Sequence, residues 1–162
     1  MSERIAKHKQ RLTETRQKLV DALQRIGERG DEQIYSDGAQ WTLRQLAIHL
    51  ALADKGHNQM VYRYSRGEPF IPDDYDIDRY NRSSVSKHAT MTVADALASL
   101  AESRAAFLAW LDEQEDDSFL EMRGRHPARN VVSVDSIIKI MALHEAGHTK
   151  DIVIMLEREP TD

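Results

Sequence analysis

At 162 residues, 41% hydrophobic and 30% charged, the chain can bury one proper core and has an ordinary globular composition. It has no cysteine, which excludes a disulfide framework, a thiolate metal site and a cysteine nucleophile. The net charge of −5 argues against nucleic acid as the main partner, and no apolar run approaches the roughly 18 residues of a membrane span.

The opening SERIAKHKQRLTETRQK is charged throughout and does not read as a signal peptide, so the expected location is the cytoplasm. Residues 1–30 hold eight Lys/Arg against four Asp/Glu, and 67–120 hold twelve Asp/Glu against four Lys/Arg. Both read as solvated helix faces. With no repeat, low-complexity tract or linker, one domain over 1–162 is expected.

The first predicted helix covers 3–28. Ile5, Leu12, Leu19, Leu23 and Ile26 fall at three-, four- and seven-residue spacings, and Gly30 closes it. After the polar loop GDEQIYSDGAQ, Thr42 and Gln45 form a capping-box pattern. The helix they open runs to about Ser65, with Leu43, Leu46, Leu50, Ala53, His57 and Met60 as its buried stripe. His49 lies at the margin of that stripe, about 60° from Leu46 at 100° per residue.

RGEPFIPDDYD, with two prolines, is a connection, and a short helix through DRYNRSSVSK follows it. Thr92 and Asp95 mark another capped start; Ala94, Leu97, Leu100, Phe107, Leu108 and Leu111 carry that helix to about Glu115. Residues 116–132 read as loop. The last helix starts at Ser133 or Asp135 and ends near Arg158, with Ile137, Met141, His144, His148, Ile152 and Met155 as its stripe. Four long helices, two substantial crossovers and almost no strand signal predict an all-α four-helix bundle.

LHEAGH, at 143–148, is an H-E-x-x-H pattern. Its histidines stand one turn apart on one helix face, close enough to share a metal ion. His49 offers a third imidazole from another helix, and three imidazoles suit Zn, Ni, Fe or Cu while leaving room for water or substrate. Against this stands the plain reading of each as a core histidine bonded to a backbone carbonyl. A zinc protease is a poor fit: the G-x-x-H continuation is missing, since TKDIVIM follows His148, and no strand is available to align a peptide.

Three stretches also resemble a known family, the DinB-like metal-binding four-helix bundles. WTLRQLAIHL (41–50) is similar to the family segment whose histidine is the first ligand. DIDRYNRSSVSKHATMTVADALASLAESRAAFLAWL (76–111) is similar to its middle region, with an Asp-x-x-Asn pattern, a Thr-capped helix and an arginine partway along. IIKIMALHEAGHTKDIV (137–153) resembles the terminal helix, where H-x-x-x-H supplies the other two ligands. The resemblance implies that His49, His144 and His148 hold one divalent transition metal, with Zn or Ni as first candidates. It also implies a homodimer and points toward the branch of thiol-dependent transferases, which take a low-molecular-weight thiol such as bacillithiol or mycothiol as cosubstrate.

The expected function is therefore a metal-dependent enzyme acting on a small molecule, a thiol S-transferase or a hydrolase. A metal held by neutral imidazoles keeps its charge, so a water or thiol bound to it loses its proton more easily and can attack an electrophile. Glu145, beside His144, is the candidate general base; its plain alternative is an exposed glutamate about 100° off the stripe. His57 reads as a supporting group or as core, and His126 as a residue of the cavity mouth or of a solvated loop. Arg104 and Asn81 either orient a substrate or pin the crossover, and Trp41 and Trp110 are packing residues. The competing class is a non-catalytic bundle whose metal is structural or senses metal or stress. Nucleic-acid binding through the basic first helix comes last.

Overall fold

The computed structural model describes residues 2–160; Met1, Thr161 and Asp162, the ends of the expected 1–162 domain, lie outside the described residues. Four long helices form the bundle: α1 (Glu3–Gln24), α2 (Leu43–Ser65), α4 (Val93–Asp112) and α5 (Val134–Leu156), with the short α3 (Ile77–Lys87) between α2 and α4. Their starts follow the capping chemistry. Thr42 and Thr92 each accept the N–H three residues on, and Gln45 and Asp95 return the bond, so both capping boxes close. Ser133 rather than Asp135 caps α5, accepting from the Ser136 N–H.

α1 ends earlier than its periodicity suggests. Gly27, at φ +54°, breaks it and leads into a 3₁₀ turn over Gly27–Asp31, which contains Gly30.

Around the bundle the neighbours run α1, α5, α2, α4 and back to α1. Side-chain pairs fix the directions. His8 meets Asp135 and Arg16 meets Glu145, so α1 and α5 are parallel. Asp54 meets Arg104 and Tyr62 meets Trp110, so α2 and α4 are parallel as well. His49 faces His148 while His57 faces His144, which makes α2 and α5 antiparallel. The bundle helices thus run up, down, down, up. Two parallel neighbours joined in sequence need a connection as long as the bundle. The segment carrying α3 is that connection.

The core divides into two apolar clusters. One gathers Ile5, Leu12, Met60, Phe107, Leu111, Ile138 and Met141; the other gathers Leu19, Leu23, Leu46, Leu50, Leu100 and Ile152. Between them lies a layer of buried charge with one residue from each helix: Arg16 (α1), Asp54 (α2), Arg104 (α4) and Glu145 (α5). Arg16 Nη2 donates to Asp54 at 2.8 Å and also to Glu145; Arg104 Nη2 donates to Asp54 at 2.9 Å and to Glu145 at 2.6 Å. Thr15 Oγ1 donates to the other Glu145 oxygen at 3.1 Å. Two cations and two anions cancel, which is the condition for burying charge at tolerable cost. Burial pushes the Asp54 carboxyl up, but the Arg16 and Arg104 guanidiniums outweigh it and hold the group below the usual carboxylate range.

The region expected to be loop contains a small antiparallel ribbon, Arg123–Arg125 paired with Val131–Ser133. Strands of three residues are too short to leave a period-two pattern in the sequence. Tyr64 of α2 anchors the ribbon: its hydroxyl donates to the Arg125 carbonyl at 2.7 Å and accepts from the Ile71 N–H at 3.2 Å. Gly124 lies flat on the Tyr64 ring, and a Cβ there would come within 2.4 Å of it. Gly124→Ala is therefore expected to cost about 1–3 kcal/mol by overpacking. Chemical denaturation measures this; a change within about 0.5 kcal/mol, as for an ordinary surface substitution, would contradict the contact.

Candidate functional site

The three predicted ligands come together. One nitrogen from each of His49, His144 and His148 lies within 4.8 Å of the others. His49 Nε2 and His144 Nε2 are 3.2 Å apart. Tetrahedral ligands at metal–nitrogen bonds of 2.0–2.1 Å stand about 3.3 Å apart, so this pair already has the spacing a shared ion needs. His49 is buried, while His144 and His148 are half-buried.

That half-burial corrects the helical stripe. The core face of α5 is Ile137, Ile138, Met141, Ala142, Glu145, Thr149 and Ile152, and the two histidines flank it, turned toward α2 and a cavity. On α2, Ala53 is likewise half-buried and lines the same cavity.

Burial depresses each imidazole's pKa, with help from its neighbours. His49 falls to about 3, through desolvation and then the nearby His148 and His57. His144 falls to about 2, through desolvation and then the surrounding histidines. His148 is also lowered by burial, with Asp151 opposing. All three are neutral near pH 7, the form that binds metal. Protonation penalises the fold, so the stability they lend the metal-free chain is full above the unfolded pKa of about 6.5 and is lost as pH falls below it. Urea midpoints of chelator-treated protein should drop steadily between about pH 6.5 and 4.5; a flat profile there would contradict buried neutral histidines.

Tyr35 and Asp151, which sequence reasoning missed, orient His148. The Tyr35 hydroxyl donates to Asp151 Oδ2 at 2.6 Å, so its oxygen accepts from His148 Nδ1–H at 2.8 Å. His148 Nε2 is left with its lone pair free, the arrangement in which an outer partner fixes a metal-binding tautomer. Asp151 sits three residues after His148 and is a signal of sorts. Tyr35 lies in a polar loop and carries none. Trp41, read as packing, lies against the His49 ring at 4.5 Å between centroids and also lines the cavity. Trp110 does pack, between Phe107 and Phe119.

His57 and His126 form a second imidazole pair beside the first. Their Nε2 atoms are 3.3 Å apart, the ring planes are within 22° of each other, and the His57 ring centroid is 5.7 Å from that of His144. The tautomers follow from the other ring nitrogens. His126 Nδ1 accepts from the Ala128 N–H at 3.1 Å, so its proton is on Nε2. His57 is hydrogen-bonded to the Ala53 backbone, so its Nε2 is the acceptor. His126 thus donates to His57. Both groups are held below the usual imidazole range by burial, His126 at about 4. The pair satisfies itself and fastens the turn between the ribbon's two strands onto α2. His126 is buried, not a solvated loop residue.

The remaining candidates separate. Asn81 lines the cavity. Arg104 is buried in the charge layer and also donates to the Leu12 carbonyl at 2.7 Å. Glu145, the expected general base, is neither exposed nor at the cavity. It is 4% exposed, its carboxylate is held by Arg16, Arg104 and Thr15, and it is absent from the cavity lining. At 100° per residue, a position next to His144 points to a different face of α5.

The histidines open on a cavity of about 940 Å³, walled by α2, α3, α5, the 66–76 connection and the turn between the ribbon's two strands. That is the size range of small-molecule sites. No helix among the described residues is long and apolar enough to cross a membrane.

Comparison with known proteins agrees with this architecture. The chain is similar to YfiT from Bacillus subtilis, described as a probable metal-dependent hydrolase with an unusual four-helix bundle topology. The TM-score is 0.76 at 21% identity, over 96% of this chain and 87% of that one. It is also similar in structure to the mycothiol-dependent maleylpyruvate isomerase, with a TM-score of 0.73 at 11% identity. That match covers 94% of this chain but 63% of the isomerase. At these identities the likeness shows the fold. No curated protein matches the sequence closely enough to count as a relative. The family model of the DinB superfamily matches residues 11–152, from within α1 to within α5, and the chain belongs to that superfamily.

Proposed function

We propose that the protein is a metal-dependent enzyme acting on a small molecule, with His49, His144 and His148 as the ligands of one divalent ion. The observation that carries this is the meeting of three neutral imidazoles on the wall of a drug-sized cavity. A structural metal site is closed by four protein ligands, whereas a catalytic one keeps a position open. Three ligands facing a cavity favour the enzyme over the purely structural or sensing bundle. The all-nitrogen donor set suits Zn or Ni. Bound there, the ion would supply charge that acidifies a coordinated water or thiol.

The chain's own residues do the rest. Tyr35 and Asp151 hold His148 in the binding tautomer, Trp41 packs the His49 ring, and the His57–His126 bond seats the loop that walls the cavity. Glu145 has no part at the reacting atoms in this reading; its role is to tie α5 to α1 and α4.

The reaction is transfer of a low-molecular-weight thiol to an electrophile, or hydrolysis of one. YfiT's description favours hydrolysis, and the mycothiol dependence of the isomerase favours a thiol cosubstrate. Purified protein loaded with Zn or Ni, offered aryl esters and chlorinated aryl electrophiles with and without bacillithiol or mycothiol, decides between them. Turnover absent from His148→Ala supports the reading; no metal-dependent turnover with any pair would count against it. A single cytoplasmic domain that dimerises belongs to the same reading on the family resemblance, and mass measurement in solution tests the dimer.

The tautomer argument makes its own prediction. Tyr35→Phe removes the acceptor for His148 Nδ1–H and should weaken metal binding about 10–100-fold. Competition with a chromophoric chelator measures this, and unchanged affinity would contradict the assigned role.

A further inference from the structure

Helix α3 contributes little to the core. Of its eleven residues only Val85 is buried, and most of the helix lines the cavity. At 100° per residue, Ile77, Asn81, Ser84 and Val85 share one arc of about 100°, with Asn81 near its middle. All four line the cavity, and Asn81 and Ser84 are half-buried there. The middle of an inward helix face is ordinarily apolar. Asn and Ser are also poor residues for a helix interior, because their short polar groups compete for nearby backbone. Here they gain nothing in return: among the described residues, neither the Asn81 amide nor the Ser84 hydroxyl has a hydrogen-bond partner. Asn81 therefore does not pin the crossover to the bundle.

We infer that Asn81 is a specificity residue of the cavity, and that it recognises an amide group of the ligand, N–H beside C=O, separate from the reacting atom. Its side chain offers N–H donors and a carbonyl acceptor side by side, and an amide complements both; a carboxylate would leave the Asn81 oxygen facing a second acceptor. A few polar groups on an otherwise apolar wall are what fix a ligand's orientation, and Trp41, Met60, Ile71 and Ile140 supply that wall. The ion, once bound, makes the histidine end positive and able to take an anionic head. Asn81 thus selects a hydrogen-bonding group and leaves net charge to that end. This rests on the reading of the three histidines as the reactive centre.

Aryl hydroxamates are the probes, because the hydroxamate binds the ion and the ring carries the group under test. Benzohydroxamate is compared with its meta and para forms bearing acetamido, isobutyl (nearly the same shape, with no donor or acceptor) or carboxymethyl (an added negative charge). Calorimetric titration of the metal-loaded wild type should show an acetamido probe binding about tenfold or more tighter than its isobutyl counterpart at one of the two ring positions. In Asn81→Leu the acetamido probe should bind no tighter than the isobutyl one. Because the Asn81 amide holds nothing in the fold, that variant should keep its metal and unfold at the same or a higher urea concentration. Equal binding of the acetamido and isobutyl probes at both positions, or tighter binding of the carboxymethyl probe, would overturn the inference. So would a preference that survives Asn81→Leu, or a lower urea midpoint in that variant. Wild type that binds benzohydroxamate without preferring acetamido sinks this inference alone; absence of metal, or of any benzohydroxamate binding, sinks the reactive centre as well.

Discussion

Glu145→Ala is expected to destabilise the fold by about 3–5 kcal/mol, the cost of leaving buried charges without their partner. Arg16 and Arg104 would both lose a carboxylate, inside a layer where all four charged residues are less than a tenth exposed. A domain's whole stability is roughly 5–15 kcal/mol, so the variant should unfold at markedly lower denaturant concentration or fail to fold at all. The same substitution separates the two roles of this residue. A general base at the cavity, when removed, would lower turnover and leave the denaturation midpoint almost where it was. A member of the charge layer does the opposite for stability, and Glu145→Gln, which keeps the volume and one acceptor oxygen, should recover part of the loss. An unaltered midpoint in both variants would contradict the buried network.

His144→Ala is expected to abolish metal-dependent stabilisation and any metal-dependent turnover together. A metal that binds only the folded chain adds about 4.1 kcal/mol at a thousandfold excess over its dissociation constant. For a chain of this size that is a rise in Tm on the order of 10 °C. The wild type should show such a rise when Zn or Ni is added after chelation, and the variant should show none. The metal-free variant should otherwise melt close to the metal-free wild type, because His144 is only half-buried and flanks the core face. A variant that still gains stability from metal would remove His144 from the ligand set.

The helices were legible because their information is local. Capping boxes at Thr42 and Thr92 and the seven-residue spacing of Ile5, Leu12 and Leu19 are written within a few turns of chain. The histidines were legible by the same means, as an i, i+4 pair plus one inward residue with a family resemblance behind it. What the sequence concealed depends on partners far along the chain. Arg16 continues the α1 stripe between Leu12 and Leu19, where periodicity alone expects an apolar residue. Its burial makes sense only with Asp54, Arg104 and Glu145, which come from three other helices. Glu145 was read through its neighbour His144, although adjacent helical residues face different directions. Tyr35 and His126 reach the site from loops, whose paths no periodic pattern records, and the ribbon that carries His126 toward α2 has strands of three residues.

The central claim is one shared ion on three histidines, and its most direct measurement is elemental analysis of the untagged protein purified without chelator, alongside His49→Ala and His148→Ala. The account predicts close to one equivalent of Zn, Ni or another divalent transition metal in the wild type and almost none in either variant. No metal in the wild type, even after incubation with excess divalent ions, or equal metal in all three proteins, would contradict it.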